Sequence, residues 1–430
     1  MSDGRSVRSE PADGEAAADG EAVVEVRAAH LISAGVVTAL VGFASTSVVV
    51  LAGLRAAGAD PTQAASGLLA VTVTQALGTL WLSRRHQMPI LLAWSTPGAA
   101  LLASTGSVDG GWPAAVGAFL LVGALILVTG LWPRLGALIA AIPAPIAQAM
   151  LAGVLLSLCI APVHGLVDHP ALIVPEVVVW LVLLRLAPRW AVPAAFAAAV
   201  VAVGIWLGRH GGAAGPLLPR VALTAPTLTW ASVLSLAVPL YIVTMASQNV
   251  PGVAVLSSYG YAVPWRESMT VTGVGTVLGA FAGGHAINLA AITAALAASP
   301  DAHPDPKRRW IVAHLAAWTF LVLALASMAL VTVSTAAPAG VTTAVAGLAL
   351  VGTLASSLAS ALADPDDRQA AIVTFVVAAS GVTLASVGAA FWALAAGLLL
   401  HATTRRSEGA IVDVSPTTFR TGRRSRTRRT

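Results

Sequence analysis

The stretch "QMPILLAWSTPGAALLAST", Gln87 to Thr105, decides how this chain is read. It is apolar like a piece of membrane helix, yet Trp94, Ser95, Thr96, Pro97 and Gly98 stand together where a lipid-facing span carries Leu or Val. Proline removes a backbone donor and clashes with the preceding turn, so a regular helix is interrupted here. Within a bilayer such an interruption is tolerated only where the freed backbone groups are buried in protein or line a cavity. The expectation is a short, broken span that faces a binding site.

The rest of the chain fits that setting. Of 430 residues, 57% are hydrophobic and 10% charged, and the mean hydropathy of +0.83 is that of a polytopic membrane protein. Apolar runs follow one another with short polar breaks, leaving no room for a soluble catalytic domain. Candidate spans are 30–54, 61–83, 89–106, 113–133, 143–163, 171–187, 191–208, 230–249, 267–283, 284–299, 309–333, 339–362, 367–387 and 388–403, about fourteen in all. Cys159 is the only cysteine, which excludes a disulfide framework or a cysteine metal cluster within one chain. No cofactor and no metal are expected.

Charge is distributed unevenly. Residues 405–430 hold eight Arg against Glu408 and Asp413, a net +6, so with +5 for the whole chain the remainder is −1. The basicity belongs to one tail, read as a cytoplasmic segment touching anionic membrane lipids, and nucleic acid is not expected as a partner. The acidic, small-residue-rich leader over 1–28 lacks the basic start and apolar centre of a signal peptide and reads as disordered. With the N-terminus inside, the inside loops carry Arg84 and Arg85, Arg134, Arg189, Arg266, the run Lys307 to Arg309, and Arg368. That bias places both termini in the cytoplasm.

Fourteen spans divide into seven plus seven, and an odd-numbered half must insert the second time with reversed orientation. The expectation is an all-α inverted repeat: a first repeat over 29–208, a linker over 209–229, a second repeat over 230–403, and the tail from 404. The third span of the second half, "GGHAINLAAITAALAAS" (Gly283 to Ser299), is interrupted like the third span of the first. Broken helices expose backbone N–H groups at their new N-termini, where peptide dipoles add partial positive charge. Two such ends on one cavity suit a small anion without any Lys or Arg. Pro97 fits the first turn of a half-helix, and Ser95 or Thr96 would cap it or bind a ligand, with Gly98 beside them.

His285 and Asn288 open the second broken span, and His285 can exchange a proton near neutral pH. Glu176 and His314, on ordinary-looking spans, read as structural, and Arg185 lies near a span end. In "YIVTMASQNVPG", Gln248 and Asn249 offer neutral donors and acceptors for a carboxylate, with C-capping by Asn249 as the structural alternative. Trp94 reads as a surface for an aromatic ligand or as an interfacial anchor. No HExxH motif, paired carboxylates or Ser/Lys dyad lies in the spans, so an enzyme is not expected.

Three stretches, "PILLAWSTPGAALL", "YIVTMASQNVPG" and "GGHAINLAAITAAL" continuing to "PDAHPDPKRRW", resemble the benzoate membrane transport protein family, the BenE-type benzoate/proton symporters. The resemblance covers roughly residues 28 to 403 and implies import of benzoate with protons across a bacterial inner membrane. More distantly it extends to the nucleobase/ascorbate and sulfate-permease transporters, implying core and gate domains, short strands in spans three and ten, and homo-oligomers by analogy. The nucleobase relatives carry acids in span ten and near the position of Gln248. This chain has neither, which favours an anionic substrate over the alternative of a nucleobase permease. His285 then becomes the candidate proton carrier, with protonation of the substrate itself as the alternative.

Overall fold

The computed structural model describes residues 13–210, 215–338 and 340–411. It is a mostly helical (77%) polytopic membrane protein. Seven described helices are long and apolar enough to cross a membrane, or eight if one pair bent by 51° counts as a single span. In chain order the elements are α1 (Asp13–Ala56), α2 (Pro61–His86), β1 (Leu92–Trp94), α3 (Thr96–Thr105), α4 (Gly111–Leu131), α5 (Pro133–Ala140), α6 (Ala144–Asp168), α7 (Pro170–Leu186) and α8 (Pro188–His210). They continue with α9 (Trp230–Ser258), α10 (Trp265–Ala280), β2 (Ile287–Leu289), α11 (Ile292–Ala298), α12 (Trp310–Ala324), α13 (Ser327–Ala336), α14 (Val341–Ala361), α15 (Arg368–Ala379) and α16 (Ala389–Ile411).

Local sequence explains the boundaries. Asp60 and Gln63 form a reciprocal capping box that starts α2, and Gln87 ends it in the left-handed conformation. Two sequence expectations need correction. α1 begins at Asp13, so residues 13–28 of the expected disordered leader are helical, because Ala and Glu are strong helix formers and the adjoining apolar helix supplies the nucleus. Residues 1–12, and residues 412–430 of the basic tail, lie outside the described residues.

α9 likewise does not stop at "QNVPG" but runs on to Ser258. It contains two π-turns, Val233–Ala237 and Met245–Asn249, each ending two residues before a proline, Pro239 and Pro251. Widening the ladder just ahead of each proline accommodates the missing N–H and the ring, so the helix survives.

The helices pack in two groups. In the first, α1 lies against α3 and α12, α2 against α10 and α12, and α4 against α10. In the second, α6 packs on α14 and α15, α7 on α8, and α15 on α16. The groups meet where α1 touches α8 and α14 and where α3 touches α6. Apolar burial cannot drive association of helices out of lipid, so close backbone approach matters. A Cβ on Gly123 of α4 would stand 2.8 Å from the backbone N of Val277, and one on Gly273 of α10 would stand 2.6 Å from that of Leu127. Each helix thus supplies the gap the other occupies.

Candidate functional site

The two broken spans meet. β1 and β2 pair antiparallel, with Leu92 opposite Leu289, Ala93 opposite Asn288 and Trp94 opposite Ile287. Ser95 N–H donates to Ala286 O (2.9 Å) and Ala290 N–H to Leu91 O (2.9 Å), extending the ladder at both ends. Three residues per strand leave outer groups unpaired, and hydroxyls on neighbouring helices take them. Thr79 Oγ1 on α2 accepts from Leu92 N–H (2.9 Å), and Thr276 Oγ1 on α10 accepts from Ile287 N–H (3.1 Å). The same device thus serves both strands, satisfying backbone donors where water is absent.

Each strand leads directly into a half-helix, so α3 and α11 both begin at this pair. α3 is capped by Ser95, whose Oγ accepts from Gly98 N–H (3.1 Å) and bonds Thr244 of α9 (2.8 Å). Gly98 is therefore a structural partner of Ser95, and a Cβ there would meet Leu240 at 2.3 Å. α11 has Ala291 at its N-cap position and so no side-chain cap. Thr96 is half-buried, and its hydroxyl makes no hydrogen bond among the described residues.

His285 is fully buried, with its ring edge-on to Phe119. Its Nε2 lies 3.1 Å from Ser95 O. A carbonyl only accepts, so Nε2 carries the proton and Nδ1 is left as a lone pair. Nδ1 has no partner among the described residues, and neither has Oδ1 of the fully buried Asn288, whose Nδ2 donates to Leu289 O (2.8 Å). Asn249 is not a C-cap: its Oδ1 accepts from Leu289 N–H (2.9 Å), tying α9 to β2. Gln248, on the adjacent face of the π-turn, is half-buried and makes no side-chain hydrogen bond among the described residues.

Trp94 differs from both of its sequence readings. It is 3% exposed, it sits edge-on between Phe43 and Phe320, and its Nε1–H donates to Thr46 Oγ1 (2.9 Å). Its faces are occupied by protein, so it braces β1 against α1 and α12 and is neither an interfacial anchor nor a free stacking surface.

The strand pair therefore brings together Ser95, His285, Asn288 and Asn249, with Trp94 and Gly98 as supports. Thr96 and Gln248 keep unused donors nearby in sequence. Thr79, Thr276 and Thr244 were not singled out from the sequence. A usable signal existed: Thr72, Gln75, Thr79 and Ser83 form one buried stripe on α2, and Ser268, Thr272 and Thr276 another on α10, at helical spacing. No Lys, Arg, Asp or Glu lies on β1, α3, β2, α9 or α11. The arrangement is a buried, uncharged polar junction in which His285 Nδ1 and Asn288 Oδ1 are among the unsatisfied acceptors, and no described group of His, Cys, Asp and Glu there could hold a metal.

A model of the family described as "Benzoate membrane transport protein" matches residues 25–403. "Inner membrane protein YdcO" of Escherichia coli (strain K12) is 37% identical over 369 residues, 85% of this chain and 93% of that protein. "Benzoate membrane transport protein" of Acinetobacter baylyi is 29% identical over 372 residues, 86% and 93%. Among solved structures, the transmembrane domain of the cyanobacterial bicarbonate transporter BicA superposes with a TM-score of 0.56 at 15% identity, covering 87% of this chain and 96% of that one. SLC26A9 superposes with a TM-score of 0.58 at 16% identity, covering 86% of this chain but 65% of SLC26A9, just under two thirds of its length.

Proposed function

Because this chain belongs to the benzoate membrane transport protein family, we propose that it imports benzoate or a related aromatic carboxylate together with a proton across a bacterial inner membrane. The observation that carries the proposal is the unpartnered, buried His285 Nδ1, beside the likewise unpartnered Asn288 Oδ1, in a junction without fixed charge. A bare carboxylate would find no donor on either atom. A carboxylate arriving with a proton finds one at His285: the proton binds Nδ1 and the resulting imidazolium pairs with the anion, while Thr96 and Gln248 donate to the carboxylate oxygens. One anion and one proton make a neutral complex, which lowers the penalty of carrying charge through a low-dielectric interior.

Ser95, Asn249, His285 and Asn288 are all buried, so loading requires the two helix groups to move apart. We read the first group as a core that holds the site and the second as a gate, in a fourteen-segment, seven-plus-seven inverted repeat with both termini cytoplasmic. The matching hydroxyl partners, Thr79 for β1 and Thr276 for β2, support that symmetry.

The test is radiolabelled benzoate uptake into proteoliposomes under an inward proton gradient. The expected result is accumulation that collapses with a protonophore. Uptake of another small anion with no response to benzoate would remove the substrate assignment, and benzoate accumulation indifferent to the protonophore would remove proton coupling. His285→Ala is expected to keep benzoate exchange but to weaken accumulation driven by the pH gradient.

A further inference from the structure

A buried acid stands apart from the strand pair. α7 exposes Val174, Val178 and Leu181 on one face, and the opposite stripe buries Leu172, Ile173 and Glu176. Glu176 is 0% exposed, and neither carboxylate oxygen has a hydrogen-bond partner among the described residues. Leu172 and Ile173 cluster with Val203 of α8 and with Val341 and Ala344 of α14.

The titratable groups on the helices packed around α7 do not compensate it. On α6, His164 and Asp168 are exposed and Cys159 is half-buried; on α8, Arg189, Arg209 and His210 are exposed. His169, the residue before α7, is half-buried, Arg185 at its far end is exposed, and α14 carries no charged residue. None of them forms an ion pair with Glu176. An ionised carboxylate without water, donor or counter-charge would cost several kcal/mol. In this conformation the carboxyl is therefore neutral and holds a proton.

Two further features place that proton in a moving part. Pro175, immediately before Glu176, removes the N–H that would bond the carbonyl four residues earlier, so the α7 ladder is interrupted at the level of the acid. Val203 and Val341, which cover this stripe of α7, also line a narrow apolar cleft between α1 and α13 on one side and α8 and α14 on the other. The stripe of α7 that buries Glu176 thus packs, through Leu172 and Ile173, one side-chain layer behind the boundary between the two helix groups.

We infer that Glu176 is a second proton-carrying group of the transport cycle, so that two protons enter with each carboxylate. The inference rests on the carboxylate/proton import proposed above, in which His285 takes the first proton. When the groups separate and water reaches this layer, the carboxyl O–H transfers its proton to water and leaves a hydrated carboxylate. The empty carrier returns with that carboxylate still hydrated, and it takes a proton from water again only on the outward-facing side, so one proton is carried inward on Glu176 per cycle. One anion with two protons moves one net positive charge inward, so transport is electrogenic.

The experiment uses the full-length protein in proteoliposomes, with radiolabelled benzoate, and imposes a pH gradient and a potassium diffusion potential separately. The parent is expected to accumulate benzoate under either force. An inside-negative potential of about 100 mV would raise equilibrium accumulation roughly fifty-fold for one net charge. Glu176→Gln should lose the voltage-driven part and keep the part driven by the pH gradient. A parent that responds to the pH gradient but not to voltage overturns the second proton and leaves the import reading intact, as does a Glu176→Gln variant with undiminished voltage response. A parent that responds to neither overturns both. Infrared spectroscopy covers the case in which Glu176→Gln does not fold: the parent at neutral pH should show a protonated-carboxyl band that shifts in Glu176→Asp, and absence of that band overturns the inference.

Discussion

Asn249 shows how single side chains hold this site. Its Oδ1 takes the Leu289 N–H, as Thr79 and Thr276 take those of Leu92 and Ile287, and all three donors are buried from water. Leaving such a donor unpaired costs about 1–3 kcal/mol. Thr79→Val, nearly isosteric, is expected to lower stability by that amount and to weaken benzoate uptake, measured by thermal unfolding in detergent alongside transport. Asn249→Leu should do the same. Retention of full stability in both variants would mean that the strand pair does not depend on these side chains. Ser95 and His285 were legible in the sequence as polar residues at a break. The tautomer of His285 was not, because it follows from the carbonyl of Ser95, 190 residues away.

At the level of elements, the half-helix α11 is held from both ends. β2 fixes its start, and at its end the buried Arg309 donates to Ala298 O (2.8 Å) and His303 O (2.8 Å). The guanidinium both satisfies the terminal carbonyl and complements the negative end of the helix dipole. Arg309→Lys is expected to lose function despite keeping the charge, because one ammonium cannot reproduce a planar fork reaching two carbonyls. The readout is benzoate uptake with protein abundance in the membrane as a control, and a fully active Lys variant would sink the idea. The positive-inside pattern had marked Arg309 merely as a loop charge beside Lys307 and Arg308. On the other broken span, α1 approaches α3 so closely that a Cβ on Gly53 would stand 2.3 Å from Ala99 O. Gly53→Val should displace α3 and destabilise the protein by about 1–3 kcal/mol, detected as a lowered melting temperature.

Across the whole molecule, the functional event is relative motion of the two helix groups, since the site residues are enclosed in the conformation described. Val48 on α1 and Val345 on α14 line the same cleft from opposite groups. In a Cys159→Ser background, joining cysteines at these two positions with a bifunctional maleimide is expected to abolish benzoate uptake. The same linkage between positions 367 and 401, which are in contact within the second group, should leave uptake largely intact. Equal activity in both linked proteins would argue against group motion as the transport step.

What the sequence by itself determined was the class of molecule and the location of its breaks. Composition forces a multi-span membrane protein, and the Pro and Gly residues with adjacent polar groups can be tolerated at membrane depth only if they are buried in protein. That reasoning placed both interrupted segments and most of the polar residues beside them. Tertiary structure decided the rest, because pairing between β1 and β2 joins segments almost 200 residues apart and no local pattern specifies the register. It also decided the continuity of α9 through Pro251, the enclosure of Trp94 by Phe43 and Phe320, and the isolation of Glu176. Each of these depends on which neighbour fills the space or satisfies the bond, and in a low-dielectric interior that neighbour fixes what a polar group can do.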